Sequence, residues 1–249
     1  MIEIDLYKLK KVEKTVRVKA HQTKHGYVKA HDRKVKGASE DKDTLSIFKA
    51  SLKDMSTDEL KSQINIVEDE YPEVHKGLKN WYDNKSMMAF DGEISAVFNM
   101  GSENSRSDDI PVLDAKTIEG YKKIYSVTQE YLSRTDPDGN ITITRGLGPR
   151  SYQEYKELSP GEDIKIRQYN VSSWTTDDDM ATEFAERDED GGIIIGAYIS
   201  TDRVFMHPDC ASEISDDYDE SEIIIMGSEI KASIGESFPP ENEEDDEYE

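Results

Sequence analysis

The chain has 249 residues, a formal net charge of −23, 35% hydrophobic and 34% charged residues, and one cysteine. That length supports one sizeable core with appendages, and the low apolar fraction requires much of the charge to sit in solvated segments. The single Cys210 excludes an internal disulfide framework and a multi-cysteine metal site, and no apolar run approaches the length needed to span a bilayer.

In chain order, the first feature is a charge asymmetry. Residues 1–36 hold eleven Lys/Arg against four Asp/Glu, a balance of +7, so the remaining 213 residues carry −30. Such a split marks residues 1–38 as a basic N-terminal arm, read either as a nucleic-acid or assembly contact or as a solvated appendage. Val18-Lys19-Ala20-His21 recurs as Val28-Lys29-Ala30-His31, and the alternating valines predict a small hairpin turning at Gly26. His21, His25 and His31 lack a companion cysteine or carboxylate pattern, so no metal is expected there. The opening residues lack the uninterrupted apolar stretch of a secretory signal, which makes the cytoplasm the default compartment, with virion association or injection into another cell left open.

Helical territory follows, at 44–134. Leu45, Phe48, Leu52 and Met55 recur at helical spacing, Ser56-Thr57-Asp58 starts a second helix through Leu60, Ile64 and Val67, and a third lies around Val74–Trp81. Residues 84–113 stay ambiguous between helix and strand. Asp114 caps a well-patterned helix carrying Ile118, Tyr121, Tyr125, Thr128 and Leu132 on one face, and Asp136-Pro137-Asp138-Gly139-Asn140 ends it with turn chemistry.

From 141 to 235 the pattern changes to strands: Ile141–Arg145, Ile164–Tyr169, Gly192–Ile199, Glu222–Met226 and Ser228–Ile234. One helix interrupts them, with Thr176 as its cap and Met180, Ala181, Phe184 and Ala185 as its apolar face. Residues 237–249 form an acidic tail, with seven carboxylates in the last nine positions, and read as disordered.

Three short motifs stand at the ends of these strands: Thr144-Arg145-Gly146, Ser173-Trp174-Thr175 and Glu220-Ser221-Glu222. Period-two geometry predicts that Glu220 and Glu222 share one side of a strand, where paired carboxylates suit acid–base or cation-stabilising work. Arg145 stands where a strand meets a glycine-containing loop, a place from which a guanidinium can fork onto phosphate while Gly146 lets backbone approach a planar ligand. Singly, each motif is equally at home as an ion-paired surface arginine, an edge strand with a packed tryptophan, or the wet face of an amphipathic strand.

In this order and context the set resembles the ADP-ribosyltransferases of the Arg–Ser–Glu group, which includes many bacterial toxins and viral or cellular arginine transferases. The resemblance covers roughly residues 114–235, extends to the helical stretch from Thr44 as an N-terminal lobe, and departs from the family in placing Thr175 where a second serine is usual. It implies an α+β fold, a split, mostly antiparallel β-sandwich with a helical lobe, over residues 39–236. It also implies NAD as co-substrate with no metal. Arg145 would hold an NAD phosphate or ribose, the Gly146 backbone the nicotinamide amide, and Ser173 would orient Glu222, with Thr175 and Trp174 supporting the pocket. Glu222 would stabilise the cation-like transition state, Glu220 would address an acceptor arginine on a target protein, and Tyr218 would contribute to substrate recognition. Two alternatives remain open: an NAD glycohydrolase using the same residues, and a non-catalytic virion or nucleic-acid-associated protein that uses its basic arm.

Overall fold

The computed structural model describes residues 14–18, 21–23, 26–28, 31–35, 41–83, 87–101, 104–105, 110–211 and 221–240. Residues through Ser51 form one compact unit, and Leu52 begins a second. That boundary falls thirteen residues beyond the compositional edge of the basic arm, because the first helix groups with it.

In the first unit β1 (Lys14–Val18) pairs antiparallel with β4 (His31–Val35), and β2 (His21–Thr23) with β3 (Gly26–Val28). The two copies of the Val-Lys-Ala-His echo occupy equivalent places: each valine ends a strand and each histidine begins the next. Gly26 is the first residue of β3, paired with Thr23, rather than the tip of the turn. Helix α1 (Asp41–Leu52) follows and stops short of Met55.

The second unit begins with helices. Ser56 caps α2 (Thr57–Glu70) through a reciprocal box, its Oγ accepting from the Glu59 amide at 3.3 Å while Glu59 Oε2 accepts from the Ser56 amide at 2.7 Å. Pro72 then opens α3 (Pro72–Tyr82), where its missing N–H costs nothing. The ambiguous stretch resolves as α4 (Met87–Phe98), and α5 (Ala115–Thr135) is capped by the Asp114 carboxylate on the Thr117 amide at 2.8 Å. Leu60, Ile64, Leu78, Phe90, Ile124 and Leu132 are all fully buried between these helices. Each such side chain contributes on the order of 1.5–3 kcal/mol of transfer free energy.

Seven strands form one antiparallel sheet in the order β6-β11-β8-β5-β7-β10-β9. They are β5 (Asn140–Leu147), β6 (Asp163–Arg167), β7 (Val171–Thr175), β8 (Gly192–Ser200), β9 (Val204–Met206), β10 (Glu222–Met226) and β11 (Glu229–Phe238). Among the described residues there are eight α-helices, the last three being α6 (Pro149–Tyr155), α7 (Asp178–Glu186) and α8 (Pro208–Ala211). The α+β class and the antiparallel strands agree with the sequence pattern. Where the sequence implies a split sandwich, the strands are linked as one sheet whose four-stranded and three-stranded parts meet at a single residue pair, Thr144↔Thr175. The cap of α7 is Asp177, one residue later than expected: its carboxylate accepts from the Asp179 and Met180 amides, while the Thr175 hydroxyl accepts from the Asp177 amide.

The helices pack where they position the sheet. α5 lies against β9 and α4 against β7, while α6 and α7 lie against β5 and β8. An aromatic cluster joins the layers: Phe90 stacks within 5.1 Å of Trp81, 5.9 Å of Tyr121 and 5.8 Å of Phe205. Buried polar bonds then fix the start of β7. Asp91 Oδ1 accepts from the Val171 amide at 2.8 Å, and Asn170 Nδ2 donates to Ser95 Oγ and to the Gly101 carbonyl.

One link in the helical layer carries a pH dependence. The Tyr121 hydroxyl donates to the half-buried Glu93 carboxylate. Burial raises the Glu93 pKa above its ordinary value of 4.5, with the tyrosine hydrogen bond opposing it. A carboxyl raised in the folded state binds its proton more tightly there than in the unfolded chain, so stability falls as pH rises from about 4.5 through the folded value. Glu93→Gln keeps an acceptor for Tyr121 and removes the charge. Its urea midpoint is expected to exceed that of the wild type at pH 7 and to match it at pH 4.

Candidate functional site

β5 and β7 are hydrogen-bonded neighbours at Thr144↔Thr175 and nowhere further. Continuing that register would set Arg145 opposite Trp174 and Gly146 opposite Ser173. The strands instead part there, and these four residues border a cavity of about 230 Å³. Glu222, the first residue of β10, reaches the same cavity because it pairs with Thr175 across the β7–β10 ladder. Arg145, Gly146, Ser173, Trp174, Thr175 and Glu222 are therefore assembled in one place from three strands.

Glu222 is only 7% exposed at the head of a strand whose next three residues, Ile223–Ile225, are completely buried. A carboxylate in such surroundings requires a donor. It has one in Trp81 of α3, whose indole Nε1 donates to Glu222 Oε1 at 2.8 Å. The same carboxylate adds to burial in raising the pKa of the neighbouring Tyr82 hydroxyl.

The preceding Ser221 has φ +46°, in the left-handed region that L-residues other than glycine, asparagine and aspartate seldom adopt. The strand thus begins at Glu222, and the alternation expected to carry Glu222's facing back to position 220 does not run through Ser221. Glu220 itself and Tyr218 lie outside the described residues. The Thr175 hydroxyl holds the turn by donating to the Ser221 carbonyl at 3.2 Å while accepting from the Asp177 amide at 3.0 Å. Thr175 therefore braces the pocket through backbone. Trp174 is 2% exposed and donates from Nε1 to Gln168 Oε1 at 3.1 Å, while Ser173 is half-buried on the cavity wall.

Gly146 is required by packing. A Cβ there would meet the Ala181 carbonyl oxygen at 2.1 Å and the Ala185 amide at 2.6 Å, and one on Gly192 would meet the Ala185 carbonyl at 1.9 Å. These two glycines let α7 lie directly on β5 and β8, which brings Phe184 and Arg187 to the cavity. Gly146→Ala is expected to lower the unfolding free energy by about 1–3 kcal/mol, the usual cost of overpacking, as read by urea denaturation.

Five wall residues were not singled out as site residues by sequence reasoning: Trp81 behind Glu222, and Thr144, Met87, Phe184 and Arg187 in the lining. Arg187 lies over the Phe184 ring at 4.1 Å, so a second guanidinium joins Arg145 in the cavity. Thr144 Oγ1 is buried and without a hydrogen-bond partner among the described residues. Beyond Arg145 a shallower depression of about 390 Å³ carries Arg150 and Arg167, with Glu154 as a described carboxylate in its lining, and the buried Ser172 Oγ there is likewise without a partner among the described residues. In a chain of net charge −23, these arginines make the cleft locally attractive to anions.

Among the described residues no cluster of three or more His, Cys, Asp or Glu is arranged to hold a metal ion, and no helix is long and apolar enough to cross a membrane. Comparison with known protein families, with curated proteins and with solved structures returned no match.

Proposed function

We propose that this chain is an NAD-dependent mono-ADP-ribosyltransferase that cleaves the nicotinamide–ribose bond and passes ADP-ribose to an arginine of a target protein. The observation that carries the reading is the burial of Glu222 in one cavity with Arg145, Gly146 and Ser173, at the point where the sheet opens. A dinucleotide fits the donor set: two guanidiniums suit a diphosphate, Met87 and Phe184 offer apolar wall for a planar ring, and the Thr144 hydroxyl is buried without a hydrogen-bond partner among the described residues.

Glu222 places negative charge where positive charge develops at the ribose C1′ as the bond to nicotinamide breaks. The leaving ring takes the bonding electron pair and departs neutral. Arg145 and Arg187 hold the phosphates, with Arg150 and Arg167 along the remaining length of the dinucleotide. Ser173 would orient Glu222, and the backbone at Gly146 would meet the nicotinamide amide. The new bond forms between C1′ and an acceptor nitrogen, whose proton Glu220 would take. The described residues support the cleavage half of this scheme, and the glycohydrolase reading, in which water is the acceptor, uses the same half.

The test is incubation with NAD labelled in its adenosine part, with and without a protein mixture, following nicotinamide and protein-bound label. Label on arginine supports the transferase. Nicotinamide without protein label supports the glycohydrolase. Absence of both NAD turnover and NAD binding removes the enzymatic reading.

A further inference from the structure

Trp81 is remote in sequence from every strand of the cleft, yet its indole N–H is the donor to Glu222 at 2.8 Å. A buried indole always seeks an acceptor, and a buried carboxylate always seeks a donor. A simple mutual satisfaction would therefore explain the bond without any bearing on chemistry. Two features go further. The acceptor is the carboxylate that lines the cavity, not a carbonyl of the surrounding core. The donor also cannot swing: Trp81 is 1% exposed, wedged against Phe90 at 5.1 Å, and Phe90 is itself held by Tyr121 and Phe205.

A ring locked in this way fixes the direction of its N–H, and an oxygen tied to that N–H fixes the rotation of the carboxylate about its terminal bond. The face that Glu222 turns to the cavity is then set by helix α3, while its backbone is set by the sheet. A carboxylate stabilising a developing cation gains most when it is held in place before charge develops. We infer that Trp81 is a positioning residue for Glu222, acting through the carboxylate and not on the substrate. This inference rests on the proposed role of Glu222, and its test separates the two.

The chain contains two tryptophans, Trp81 and Trp174, and both belong to the site. In a Trp174→Phe background Trp81 is the sole indole. Adding Glu222→Gln there replaces a charged acceptor with a neutral one and is expected to shift the Trp81 emission maximum with the far-ultraviolet dichroism unchanged. In the otherwise wild-type protein, Trp81→Phe is expected to lower kcat for NAD cleavage by about 10- to 100-fold with KM within about twofold. Added to Glu222→Gln, it should lower kcat no further, because residues acting as one unit are not additive. Unchanged emission, full activity in Trp81→Phe, or a loss that multiplies with that of Glu222→Gln would each overturn the inference. If the wild-type protein leaves NAD intact while the emission still shifts, the NAD reading fails and the positioning of this carboxylate by Trp81 stands.

Discussion

Glu222→Gln is expected to abolish nearly all NAD cleavage, by about a thousandfold or more in kcat, while the protein stays folded and still binds NAD. The substitution is close to isosteric, and its amide oxygen can still accept from Trp81 Nε1, so the link to α3 survives. What is lost is the negative charge beside the breaking bond. Removing one preorganised electrostatic group from a water-poor site costs about 10²–10³ in kcat, and a full charge facing a glycosyl cation belongs at or above the top of that range. Nicotinamide release by the variant and the wild type, with NAD binding measured in parallel by calorimetry, checks it. Retention of full turnover with Gln at this position would remove Glu222 from the chemistry.

Arg145→Lys should raise the KM for NAD and lower kcat/KM by about 100-fold, with a smaller effect on kcat. Both side chains carry one positive charge, so a cavity that needed only charge would tolerate the exchange. Arg145 borders both the 230 Å³ cavity and the depression beside it, at the fork where β5 leaves β7. A planar guanidinium can bridge two phosphate oxygens from that position, whereas an ammonium engages them as a point. Steady-state kinetics of this variant and the wild type settle the matter, and a lysine variant with unaltered KM would show that Arg145 makes no bidentate contact with the dinucleotide.

The sequence is most informative where local chemistry and tertiary structure agree. Ser56 and Asp114 announce two helix starts, and both caps form, on the Glu59 and Thr117 amides. Alternation and apolar runs reveal five of the seven strands of the sheet. β7 is signalled by its Ser-Trp-Thr motif, and β9 escapes because three residues give no period to read. The short α6 escapes as well, although Pro149 after Gly148 is a fair helix-start signal, since seven residues offer no apolar face. In the site, the strand-borne residues are legible because each stands at a strand end with a chemical reason to be there. Trp81 is not, because it reads as one more apolar residue on a helix face. The one available hint is that a buried tryptophan carries an N–H that must end somewhere. Ser221 hides its effect differently: a left-handed residue has no signature when the residue is serine, and only backbone geometry reveals that the alternation read for Glu220 and Glu222 does not run back through Ser221.

The sheet is open, and its two borders differ in kind. At one border β6 is five residues long and shows the charged Asp163, Lys165 and Arg167 to solvent. At the other, β9 is three residues long and its Val204, Phe205 and Met206 are entirely buried. Neither described border offers a long, flat, apolar template. Strand-by-strand aggregation of the folded chain is thereby discouraged at both ends, independently of the repulsion between copies that each carry a net charge of −23.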